Sequence, residues 1–175
     1  MNLSHRIIAA LLVLSLMPLA QAKRAPNLEF KDQAGHTHKV AELRGSIVVL
    51  NFWATWCGPC REELPMLSKL TQEYAPEKVR FIAASANESK DRAKVDEFVS
   101  SHKLPMDIWL GADLYMLDSA NLGNELPATM ILDEQGEVVT RILGEAREEE
   151  VRAALDWVLG GKTGPPPSPV TKHLQ

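Results

Sequence analysis

Cys57 and Cys60 are the only cysteines in the 175-residue chain, separated by Gly58 and Pro59. A pair at this spacing can close a disulfide, and as thiols it can open one in another molecule. If the pair begins a helix, Cys57 lies at the N-terminus, where unpaired N–H groups and the macrodipole favour negative charge. That setting lowers a thiol's pKa and makes Cys57 a thiolate nucleophile. Cys60, one turn further on, is shielded from solvent yet close enough to complete the disulfide. Pro59 suits an early helical position, because its missing N–H would have no helical partner there. Two blander readings stand beside redox chemistry. A zinc half-site would need two more ligands, and His36 and His38 lie on a hairpin without the usual ligand spacing. A purely structural disulfide would close too short a loop to constrain much of the unfolded chain.

The elements that must position the pair are legible nearby. Ile47 to Phe52 is a continuous apolar run, as a central strand covered on both faces requires. After the cysteines, Leu64, Leu67, Leu70 and Tyr74 recur at helical spacing. Val79 to Ala84 reads as a second buried strand, and Val95, Phe98, Val99 and His102 mark a helix from about Asp91. Upstream, Asn27 to Phe30 and Thr37 to Val40 flank a turn, which predicts an N-terminal β-hairpin. Asp107 to Asn121 suggests a short strand or turn and a helix over 112–119. Thr129 to Leu132 and Val138 to Ile142 are joined by Asp133-Glu134-Gln135-Gly136, a hairpin turn. Val151, Ala154, Leu155 and Val158 then give a closing amphipathic helix. Helices between strands imply right-handed crossovers and a parallel core, extended by antiparallel hairpins. The expected fold class is α/β, a small mixed sheet with helices on both faces.

The segment Asn51-Phe52-Trp53-Ala54-Thr55-Trp56-Cys57-Gly58-Pro59-Cys60-Arg61-Glu62-Glu63-Leu64-Pro65 resembles the active-site region of the thioredoxin superfamily, and within it the TlpA/ResA-like extracytoplasmic branch. The resemblance extends over nearly all of Pro26 to Leu159, through Leu43-Arg44-Gly45, Leu126-Pro127-Ala128-Thr129 and Gly144. It implies a thioredoxin-like fold and thiol–disulfide exchange, with Cys57 and Cys60 as the redox disulfide. Pro127 matches the cis-proline that faces the cysteines in this superfamily, leaving the Leu126 backbone free to pair with a substrate strand. Asn51 stands where thioredoxin has an aspartate. Glu63 matches a glutamate typical of the branch and, three residues after Cys60, shares nearly the same helix face. A carboxylate there can take or give the thiol's proton; its plainer role is to favour the first helical turns. Trp56 reads as an apolar landing surface, with Gly58, Pro59 and Leu126 beside it on the substrate side. Trp53, Trp109 and Trp157 read as packing residues. Pro65 should kink its helix. Arg61 reads as solvated and His102 as packed or capping.

Charge and the chain ends bound the rest. A net charge of −4 and a pI near 5.7 argue against a general nucleic-acid binder. Met1 to Ala22 reads as a secretory signal, with Ile7 to Leu19 apolar and Ala20-Gln21-Ala22 as the cleavage pattern. The apolar run is shorter than the roughly 20 residues a spanning helix needs, which leaves an uncleaved anchor as the alternative. A periplasmic location is therefore expected. Gly160 to Gln175 is rich in glycine and proline and is expected to be a disordered tail. The domains are then 1–22 signal, 26–159 thioredoxin-like and 160–175 tail. No cofactor or metal is expected. The expected partners are protein disulfides and a membrane-linked dithiol donor, with the protein itself a monomer. The Gly-Pro dipeptide resembles that of reducing thioredoxins and favours a reductase. The alternatives are a copper-handling protein using the pair in metallocentre assembly, and a non-catalytic docking module. The lone cysteine with threonine of peroxiredoxins is absent, which argues against a peroxidase.

Overall fold

The computed structural model describes residues 24–173, so the expected signal segment and its cleavage after Ala22 lie outside the described residues. Eight strands form one mixed sheet. They are Glu29–Asp32 (β1), Thr37–Lys39 (β2), Ile47–Trp53 (β3), Val79–Ser85 (β4), Asp107–Leu110 (β5), Ala128–Leu132 (β6), Val138–Gly144 (β7) and Val170–His173 (β8). Four helices accompany them, Gly58–Glu73 (α1), Arg92–His102 (α2), Leu114–Ser119 (α3) and Glu148–Leu159 (α4). The spatial order is β2-β1-β5-β4-β3-β6-β7-β8. β3, β4 and β5 run parallel, while β6 and β7 are antiparallel neighbours on the other side of β3. This is the thioredoxin-like α/β fold, with the N-terminal hairpin formed by β1 and β2.

Strand alternation sorts the core into two layers. From β3, Ile47, Val49 and Trp53 face α1, α2 and α4, whereas Val48, Leu50 and Phe52 face Phe30, Leu43 and α3. Asn51 falls on the α1 side by the same alternation and is 1% exposed. Burial of these side chains is the main stabilising term, at roughly 1.5–3 kcal/mol for each large apolar residue. α1 runs continuously through Pro65. Trp53 and Trp109 are fully packed, and His102 stacks on Phe98 with ring centroids 4.0 Å apart.

The tail expected to be disordered is instead built into the fold up to residue 173. Lys162 Nζ reaches Asp133 Oδ2 at 2.6 Å, and the Trp157 indole donates to the Gly164 carbonyl. Thr140 Oγ1 donates to the Ser168 carbonyl, the Arg141 amide donates to Pro169, and β8 then pairs parallel to β7. Composition misleads here because the segment is held by backbone and polar bonds to a sheet edge, with little apolar burial of its own. Gly144 permits the closest approach. Its φ is +89°, and a Cβ on it would overlap the His173 carbonyl oxygen.

Candidate active site

Three parallel strands end together, and α1 departs from the end of β3. Cys57 is the N-cap of α1, and its sulfur accepts from the Cys60 amide at 3.2 Å. Cys57 and Cys60 are joined as a disulfide. Their exposure differs in a way that matters for attack: Cys57 retains 6% and Cys60 none. Trp56 is 66% exposed beside them. A Cβ on Gly58 would touch nothing, so the free protein itself does not demand glycine there.

Further along α1, Glu63 enters a buried polar chain. Glu63, 2% exposed, accepts from Asn51 Nδ2 at 2.6 Å and from the Ala146 amide at 2.7 Å. Asn51 Nδ2 also donates to Thr129 Oγ1 at 3.0 Å. Burial pushes the Glu63 carboxyl up to about 8; the bonds from Ala146 and Asn51 oppose that shift without cancelling it, and Glu145 adds to it. Both protonation states of Glu63 are therefore within reach near neutral pH. The Asn51 Oδ1 atom has no hydrogen-bond partner among the described residues. A half-turn of that amide would offer Oδ1 to a protonated Glu63 and Nδ2 to an ionised one. Glu62 and Arg61 are exposed.

The Leu126–Pro127 peptide is cis, and Leu126 lies just outside the β6 ladder, which begins at Ala128. Pro59, Leu126 and Pro127 share one cleft of about 90 Å³. A larger cavity of about 440 Å³ opens between β1 and the start of α2, but neither cysteine lines it. The cysteines line neither cavity, but the smaller cleft joins Pro59, inside the Cys57–Cys60 loop, to the cis Leu126–Pro127 peptide.

Sequence reasoning passed over Asn87. Its Oδ1 accepts from the Thr55 amide at 3.0 Å, and its Nδ2 donates to Thr55 Oγ1 at 2.7 Å. The Ser85 hydroxyl donates to the same Oδ1 at 3.0 Å. Asn87 thus clamps the loop that delivers Cys57. The signal was the turn from apolar to polar residues at Ser85, Asn87, Glu88 and Ser89, just where β4, the parallel neighbour of β3, comes to its end.

A thioredoxin-like sheet with a paired Cys-Gly-Pro-Cys at the start of its first long helix defines a thiol–disulfide oxidoreductase. The AhpC/TSA family model matches residues 22–141, and the chain belongs to that family. Among its relatives, the thiol-disulfide oxidoreductase ResA of Geobacillus kaustophilus is 33% identical over 140 residues, covering 80% of this chain and 79% of that protein. ResA of Bacillus subtilis is 28% identical over 145 residues, with 83% and 79% covered. Among solved structures, StoA of Bacillus subtilis is similar in fold at a TM-score of 0.59 and 22% identity, covering 73% of this chain and 94% of that one. A thioredoxin-family thiol:disulfide interchange protein of Chlorobium tepidum reaches 0.66 at 23% identity, covering 79% and 97%.

Proposed function

We propose that the protein is a periplasmic disulfide reductase acting on protein substrates. The observation that carries this reading is the asymmetry of the pair, with Cys57 6% exposed at the N-cap of α1 and Cys60 fully buried, three residues before the buried Glu63 carboxyl. In the reduced protein the Cys57 thiolate attacks a substrate disulfide, forming a mixed disulfide and releasing one substrate thiolate. The Cys60 thiol gives up its proton and its sulfur attacks Cys57 Sγ, which releases the second substrate thiol and leaves Cys57–Cys60 oxidised. Glu63 exchanges the proton in this step. It sits one helical turn from Cys60, and its raised pKa keeps both protonation states accessible near neutrality.

The substrate chain lies along Leu126 and Pro127, with Trp56, Gly58 and Pro59 as its apolar floor. A membrane-linked dithiol protein returns two electrons to the pair. Export rests on the Met1–Ala22 signal pattern, and the protein works as a monomer. Cys57→Ser is the direct test. Reduction of insulin disulfides should be lost, and retention of that activity would sink the mechanism.

A further inference from the structure

The C-terminal strand reaches the reactive end of the molecule. β8 runs parallel to β7 and places His173 opposite Gly144. The cleft that holds Pro59, Leu126 and Pro127 is also lined by Gly144, Glu145 and His173. The imidazole is fixed in position, since His173 Nε2 lies 2.8 and 2.9 Å from the two Glu150 oxygens at the start of α4. The chain leading into the strand is secured by Thr140 to Ser168 and Arg141 to Pro169. A glycine at 144 is what lets the His173 backbone come so near.

We propose that β8, through His173, forms one wall of the substrate cleft and selects polypeptide disulfides over small ones. A polypeptide whose sulfur meets Cys57 must continue past Leu126 and Pro127, and its flanking residues then lie against His173. A small disulfide presents only sulfur and a short substituent, and it does not reach that wall. The wall is a binding element and takes no part in proton or electron transfer. The inference rests on the exchange reaction proposed above.

The test uses the full chain, with kcat/KM measured for insulin and for the small aromatic disulfide dithiobis-nitrobenzoate. The insulin-to-small-disulfide ratio should fall at least threefold in His173→Ala, with the loss in KM. It should fall at least as far in Thr171→Pro, which removes an amide from the β8 ladder. A smaller fall in either variant, or a fall carried by kcat, overturns the wall. If Thr171→Pro does not fold, His173→Ala alone decides. Wild-type protein that reduces neither disulfide would instead overturn the exchange reaction, so the two failures are distinguishable.

Discussion

At the scale of single residues, Glu63 makes the sharpest demand on the fold. A carboxyl held at about 8 against an ordinary 4.5 keeps a proton that the unfolded chain releases. Stability rises with pH only where the unfolded state binds more protons, and here the folded state binds more. The Glu63 contribution is therefore fully present below about 4.5, declines as pH rises, and levels off above about 8. The loss is on the order of a few kcal/mol across that window. Glu63→Gln should flatten the dependence. Urea unfolding at the two ends of the window, for wild type and variant, checks it, and parallel slopes would refute it. Glutamine can be accommodated because Asn51 Oδ1 has no partner among the described residues and can accept from its amide. The helix position of Glu63 was legible from spacing alone. Its link to Asn51 and Ala146 was not, because that requires α1 and the β7–α4 connection to meet over β3.

At the scale of elements, the active-site loop depends on a neighbour. Parallel strands that end together expose adjacent loops, and Asn87 uses this to hold Thr55 by two hydrogen bonds. Asn87→Ala leaves the Thr55 amide without that partner, at a cost of about 1–3 kcal/mol. The same change loosens Cys57, so the pH profile of thiol alkylation in the reduced protein should move as well. Calorimetry reads the first effect and iodoacetamide kinetics the second; a stability loss with an unmoved profile would confine Asn87 to structure. The strands and helices themselves were readable from apolar runs and turn residues. β3 was plain because Ile47 to Phe52 is a continuous apolar run in the sequence. β8 was not, since Val170 to His173 carries no alternation strong enough to mark a strand and gains its order from the waiting edge of β7.

At the scale of the whole molecule, both sheet edges are short. β2 has three residues and β8 has four. Short edges limit pairing with other chains, whereas β7 alone would present seven residues of backbone. Removing residues 165–175 should therefore make the protein self-associate. Light scattering against concentration should show growth for the shortened chain and none for the full one; identical traces would show that the tail protects nothing. The fold class followed from the order of elements and from the family resemblance. The closure of the second edge did not, because proline-rich composition speaks about apolar burial and is silent about backbone partners.

The same strand fixes how the molecule can be held. The backbone of Arg24 pairs antiparallel with Glu137 at the turn end of β7, while His173 faces Gly144 at its other end, about 23 Å away at ordinary strand rise. A fluorophore attached at the exposed Lys172, next to His173, would sit beside the cleft and report substrate arrival directly. A surface linkage at Arg24 would leave the sulfurs facing away from the support, open to whatever molecule approaches.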